Sequence, residues 1–213
     1  MPIKNGIDFL NESVESILHQ TYTQWELIIG INGLPANSDE YKIAKQYADV
    51  FSNIHVLDLS EINGKSNALN AMLAHCQYDY VAILDVDDIW LPTKLEMQIP
   101  FLYKYDVIGT KCVYFGIMNG IPDIPIGDIS NIDFKKCNPI INSSSIIRKE
   151  LCHWNNHLNG IEDYDLWLRL RKLNKTFYNC EQVLVKHRIH QNSAFNIKGN
   201  NNKVADLLAM HSN

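Results

Sequence analysis

Three carboxylates fall within four residues at Asp85, Asp87 and Asp88, directly after the apolar run Tyr80-Val81-Ala82-Ile83-Leu84. Carboxylates crowded at a strand end repel one another and are costly to bury unless a cation or a hydrogen-bonding ligand compensates them. Hard cations such as Mg²⁺ and Mn²⁺ take oxygen ligands and bridge to phosphates, so the cluster reads as a metal–phosphate site. The carboxyl ends of strands in open α/β sheets are also where ligands bind. The plain alternative is an acidic turn that caps the next helix. A second cluster, Glu162-Asp163-Tyr164-Asp165, follows Gly160. Acidic residues at a helix start complement its dipole, yet three in four residues exceed what capping needs. If the two clusters face each other, Asp163 gains proton affinity and suits a general base. Asp165 and Arg169, four apart, can pair along the helix.

His187 and His190 bracket Arg188. Such histidines are more often structural than ligating, but a neutral imidazole can complete an oxygen-rich metal site and an arginine beside it can bind phosphate. Asn63-Gly64-Lys65-Ser66 invites a phosphate-loop reading, which fails because that loop needs a glycine where Leu59 stands. The residues read instead as a turn into a helix, whose first-turn Lys65 can still reach an anion.

The elements that must position these groups alternate over the front half. Helical spacing covers Asp8 to Gln20, residues 39 to 50, and Lys65 to Cys76. Strand patterns run from Trp25 to Ile31, closed by Asn32-Gly33, from His55 to Leu59, and up to Asp85. This order argues for a mostly parallel sheet with helices on its faces. Behind it come a strand at Val107–Phe115, a Gly/Pro/Asp-rich stretch from Gly116 to Asp128, and a polar Asn142-Ser143-Ser144-Ser145 run before Ile146. A helix at 161 to 173 and a short strand at Val183–Val185 follow. One domain is expected over 1–213: a nucleotide-binding half (1–90), an acceptor-facing half (91–195), and a polar tail or linker (196–213) with a terminal helix at Val204–Met210.

Bulk properties narrow the classes. A chain of 213 residues, 46% hydrophobic and 20% charged, can bury a sizeable core. No apolar run approaches the roughly 20 residues of a membrane span, and none after Lys4 looks like a signal peptide. A net charge of −5 leaves no basic footprint for nucleic acid. Five scattered cysteines with no Cys-x-x-Cys pair argue against zinc and for a reducing compartment, so a cytoplasmic location is expected.

Five segments, in order, resemble the family 2 glycosyltransferases of the GT-A fold. They are Pro2-Ile3-Lys4-Asn5-Gly6, Ser13 to Tyr22 with Trp25-Glu26-Leu27-Ile28, Gly64 to Asn70, Leu84-Asp85-Val86-Asp87-Asp88-Ile89-Trp90, and Glu162 to Arg169. The resemblance covers about residues 1 to 195 and implies a single Rossmann-like α/β domain. It implies an inverting, Mn²⁺- or Mg²⁺-dependent transfer from a nucleotide sugar, a UDP-sugar first, to a glycan or glycoprotein hydroxyl. Asp87 with His190 would hold the metal, and Asp163 would deprotonate the acceptor. Pro2, Lys4, Asn32, Lys65, Asp85, Asp88 and Trp90 would line the donor, with Glu162, Trp167 and Arg188 facing the acceptor or in support. A narrower resemblance, to the N-terminal glycosyltransferase domain of a chlorovirus protein, would make the acceptor a viral glycan, the location the host cytoplasm, and the chain one part of a longer protein. Ile31-Asn32-Gly33-Leu34 stands where the family carries Asp-Asp-Gly-Ser, and Lys4 stands near its usual base-stacking aromatic. Two other readings remain at this point. A sugar nucleotidyltransferase would want a Gly-rich, basic N-terminal signature, which Gly6-Ile7-Asp8 does not supply. An inactive nucleotide-sugar-binding module would have a broken acidic constellation.

Overall fold

A computed structural model of the chain describes residues 1–191, 193 and 200–212. The front half builds a parallel three-stranded sheet in the order β1 (Pro2–Ile3), β2 (Leu27–Asn32), β3 (Ile54–Leu59). All six residues of β2 are buried, because both its faces are covered. Ile29 and Ile31 pack into the core beside Leu10 and Val14 of α1 (Ile7–Leu18), while Ile28 packs with Met72 of α3 (Lys65–Leu73). That alternation puts α1 and α3 on opposite faces. Between them in sequence, α2 (Asp39–Val50) is capped by Ser38, whose hydroxyl accepts from the Tyr41 amide at 3.2 Å.

The second sheet has the order β4 (Tyr80–Ala82), β8 (Ile146–Arg148), β6 (Val107–Gly116), β9 (Phe177–Ile189), β5 (Ile89–Trp90), with β7 (Gly127–Asp128) against β9. Among the described residues only its β6–β9 pairing is parallel; the pairings of β4 and β6 with β8, and of β5 and β7 with β9, are antiparallel. The sheet is therefore mixed rather than mostly parallel. The alternating pattern that implied parallel strands stops at β4, and the remaining strands return through loops that allow antiparallel partners. β4 and β5 precede residue 91 and pair with β8 and β9, so strands from both sides of that position share one sheet.

The short strand expected at Val183–Val185 is the middle of a 13-residue β9, whose polar residues hid its length. Pro2 lies in β1 opposite Gly30. After the small helix α4 (Lys94–Gln98) comes α5 (Glu162–Lys172), with Leu166, Trp167 and Leu170 in the core. The expected polar tail is, over 200–212, mostly helix α6 (Asn200–Met210). It docks by burying Leu207 and by a 2.9 Å contact between His211 Nε2 and Asp165 Oδ1, while residues 196–199 lie outside the described part. Among the described residues, no helix is long and apolar enough to cross a membrane.

Candidate active site

The site forms where the short β5–β9 ladder ends. Ile89 opposes Lys186 and Trp90 opposes Val185, so the antiparallel register carries Asp87 and Asp88 towards His187, Arg188 and His190. Asp88 is fully buried. One of its oxygens meets His187 Nδ1 at 2.9 Å and the other accepts the Arg188 amide at 2.8 Å. Both oxygens are thus used inside the protein, and Asp88 fastens β9 to the acidic turn rather than facing a donor. Burial opposes a charge on His187, but Asp88, Asp87 and Asp85 outweigh it and raise its pKa.

Arg188 supports the same turn. Its Nε donates to the Asp87 carbonyl at 2.9 Å, and its terminal nitrogen bonds Glu12 on α1. The guanidinium lies 4.5 Å from the Phe9 ring centre and 4.3 Å from that of Phe115. Asp87 is compensated less. His190 Nε2 sits 3.0 Å from its Oδ2, but burial and then the charges of Asp88 and Asp85 raise its pKa.

Asp85 takes the opposite course. Lys65, presented at the start of α3 by Gly64 with φ +90°, reaches Asp85 Oδ1 at 2.6 Å. Asn142 Nδ2 donates to its other oxygen at 2.9 Å, and the Ser143 hydroxyl approaches the Asp85 amide at 3.1 Å. Burial alone would raise the Asp85 pKa; Lys65 and Asn142 overcome it and hold the carboxyl below its ordinary value. Lys65 also stands 3.5 Å from Glu162 Oε1 at the head of α5. Burial disfavours its charge, yet Asp85, Glu162 and Asp163 together raise its pKa. The two acidic clusters face each other across this one ammonium.

Glu162 is buried, and its other oxygen accepts the Gly160 amide at 2.6 Å, so it braces the helix start. Asp163 is the less committed neighbour, with Asn138 Nδ2 at a long 3.5 Å. Burial and then the Glu162 charge push its pKa to about 6, partly offset by Lys65. Asp165, buried, pairs with Arg169 at 2.8 Å as its spacing implied.

Other expected residues divide. Lys4 and Asn63 converge on the turn after Asn32, since a Cβ on Gly33 would lie 3.8 Å from Lys4 Cε and 3.0 Å from Asn63 Oδ1. Asn32 is buried at the carboxyl end of β2. The loop from Lys4 to Gly6 lies on the acidic turn, and Gly6, at φ +107°, leaves no room for a Cβ beside Val86. Two tryptophans and a proline do not line the site. Trp90 is buried, donates Nε1–H to the Ser143 carbonyl at 2.7 Å and carries Lys94 over its ring. Trp167 is fully buried in the α5 core, and Pro2 is buried in β1. A tryptophan beside a motif shares its spacing whether it points to ligand or core, so sequence could not separate the two.

Sequence reasoning assigned no site role to Asn142, Ser143, Asn138, Glu12 or Phe9. Only the polar Asn-Ser-Ser-Ser run gave a signal. Asn142 Oδ1 is buried and has no hydrogen-bond partner among the described residues, which leaves an acceptor beside Asp85 for a hydroxyl or amine of a ligand.

The donor set fits a divalent cation. Lys65 answers Asp85, while His187 and the Arg188 amide answer Asp88; Asp87 keeps the surplus charge with one imidazole beside it. No group of three or more His, Cys, Asp or Glu among the described residues could hold a metal unaided. A carboxylate and an imidazole suit a cation that keeps waters and takes substrate phosphate oxygens for its other positions.

The family model described as Glycosyl transferase family 2 matches residues 1–196. The O-antigen biosynthesis glycosyltransferase WbnJ of Escherichia coli is 32% identical over 201 residues, 87% of this chain and 76% of WbnJ. The UDP-Glc:alpha-D-GlcNAc-diphosphoundecaprenol beta-1,3-glucosyltransferase WfgD of Escherichia coli is 29% identical over 203 residues, 91% of this chain and 77% of WfgD. Among solved structures, S. aureus TarS 1–349 in complex with UDP-GlcNAc superposes with a TM-score of 0.78 at 17% identity, covering 99% of this chain and 64% of that one. Mannosyltransferase PcManGT from Pyrobaculum calidifontis, in complex with GDP-Man and Mn²⁺, gives 0.72 at 16% identity, covering 99% and 61%. The chain thus spans less than two thirds of these solved chains, and the likeness to them is one of fold, the GT-A type of α/β architecture.

Proposed function

The chain belongs to glycosyl transferase family 2, and within that family we propose an inverting, divalent-metal-dependent enzyme that moves a sugar from a UDP-sugar to a glycan hydroxyl. The observation that carries the reading is the pair of opposed acidic clusters sharing Lys65, which leaves Asp163 with a pKa of about 6. Such a carboxylate is ionised at neutral pH yet a stronger base than an ordinary aspartate, as an acceptor hydroxyl requires. Asp163 takes the proton as the hydroxyl attacks the anomeric carbon opposite the leaving group, and that geometry inverts the carbon.

The donor is held on the other side of Lys65. Asp85 and the unpartnered Asn142 Oδ1 bind ribose or base, with Lys4 and Asn32 at the outer edge. Asp87 and His190 hold the cation, Asp88 and Arg188 keep the turn in place, and Glu162 steadies α5. A divalent cation there would neutralise charge on the departing nucleoside diphosphate. The UDP-GlcNAc complex of TarS and the UDP-glucose in WfgD's name support uridine, and the Mn²⁺ complex of PcManGT supports the metal. The O-antigen role in WbnJ's name supports a carbohydrate acceptor.

Calorimetric titration with UDP tests the donor half. The expected result is binding with Mn²⁺ that weakens at least tenfold in chelator and in Asp87→Ala. Equal affinity under all three conditions would overturn the metal assignment.

A further inference from the structure

Lys94, at the start of α4, is fully buried. Its ammonium lies 4.0 Å from the Trp90 ring centre and donates to Gln98 Oε1 at 2.7 Å, and among the described residues no carboxylate pairs with it. Burial pulls its pKa down to about 7, against the opposing influence of Cys180. A buried ammonium without a counter-ion weakens a fold, and an apolar side chain of similar length would pack as well without that cost. Packing alone therefore does not account for a lysine here.

Gln98 does. Also fully buried, it donates from Nε2 to the Ile108 carbonyl at 3.0 Å and to the Ser144 carbonyl at 2.8 Å. Reversing the amide would turn its oxygen onto two carbonyls and its N–H groups onto the ammonium. Because lysine offers donors only, one orientation of the amide is permitted, and Gln98 becomes a one-way clamp on Ser144. That carbonyl belongs to the 3₁₀ turn Asn142–Ser144, which is closed on itself: the Ser144 hydroxyl donates to the Ile141 carbonyl and the Ser145 hydroxyl to the Asn142 carbonyl, both at 2.7 Å. A turn so closed carries the clamp to its other side, where Asn142 holds the Asp85 carboxylate and Ser143 the Asp85 amide. Trp90 supports the ammonium with its ring; phenylalanine would keep that support, so the clamp is independent of the indole N–H.

We propose that Lys94 is a positioning residue for donor binding: by fixing the Gln98 amide it holds the Ser144 carbonyl, and with it the contacts that Asn142 and Ser143 make to Asp85. The inference rests on the donor role proposed for Asp85 and Asn142, so its test includes a measurement without ligand. Two variants are compared with the parent. Lys94→Met removes the ammonium at similar length, and Gln98→Glu gives the ammonium a counter-ion but has no N–H to offer the two carbonyls. In both, hydrogen exchange of the Asp85 amide should quicken at least about tenfold, while that of buried Ile29 in β2 stays unchanged. In Mn²⁺, calorimetric UDP affinity should fall at least about fivefold while pyrophosphate affinity stays within about twofold, because the cation and diphosphate lie on Asp87 and His190. Lys94→Met should keep or raise Tm, as loss of an uncompensated buried charge predicts. Unchanged Asp85 exchange, quickening shared by Ile29, or equal weakening of UDP and pyrophosphate would overturn the proposal; should one variant fail to fold, the other decides. A parent that binds no UDP would strike the donor reading instead, and exchange of the Asp85 amide would then decide the role of Lys94 by itself.

Discussion

Replacing Asp163 by Asn should make the protein more stable at neutral pH while abolishing transfer. The carboxyl is carried from an ordinary 3.8 to about 6 by burial and by Glu162. Above pH 6 the folded chain must keep that carboxylate ionised in a place that disfavours the charge; between 3.8 and 6 only the unfolded chain ionises it; below both values the difference vanishes. The destabilisation therefore grows as pH rises through this window and is complete at pH 7. Each pH unit of such displacement corresponds to about 1.4 kcal/mol, so the ceiling is about 3 kcal/mol, and partial water access brings it to about 1–3 kcal/mol. For a chain of this size that is a Tm gain of about 3–10 °C. Asn keeps the shape and removes the titration. Thermal unfolding of both proteins between pH 4 and pH 8 checks the reasoning: the gain should be full at pH 7.5 and close to zero near pH 4. A variant no more stable than the parent at pH 7.5, or a gain independent of pH, would refute it. A site that lowers stability in return for a reactive group is expected of a catalytic base.

Removing the shared cation by Lys65→Met should leave Asp85, Glu162 and Asp163 facing one another without compensation. Stability should fall, and fall more at pH 8 than at pH 5, with donor affinity reduced at least tenfold; denaturant unfolding at both pH values and UDP titration read the two effects. Trp90→Phe should behave oppositely to a donor-binding change. Losing the bond to the Ser143 carbonyl should cost about 1–3 kcal/mol by denaturant unfolding, while UDP affinity stays within about twofold.

The site was legible in sequence where chemistry and position coincide. Carboxylates at a strand end and at a helix start are unusual enough to be noticed, and the front-half helices and strands follow from plain periodicity, with α2 spanning the residues expected. Three kinds of information were not in the local pattern. Which oxygens are already used depends on partners far along the chain: Asp88 meets His187 and Arg188 about a hundred residues later, so its spacing from Asp87 could not show that it is structural. The length of β9 was hidden because a strand flanked by β6 and β5 and ending at the site carries Glu181, Gln182 and His187 among its apolar residues. Trp90 and Trp167 look the same whether they serve ligand or core, and only packing decides.

The most direct test of the central claim needs no acceptor. Incubating the protein with Mn²⁺ and an α-linked UDP-sugar, with water as the acceptor, and following the reaction by ¹H NMR should show slow release of free sugar. That sugar should first appear as the β-anomer before it equilibrates, and Asp163→Asn should give none above background. First appearance of the α-anomer, or release at an unchanged rate in Asp163→Asn, would contradict inversion by an Asp163 base.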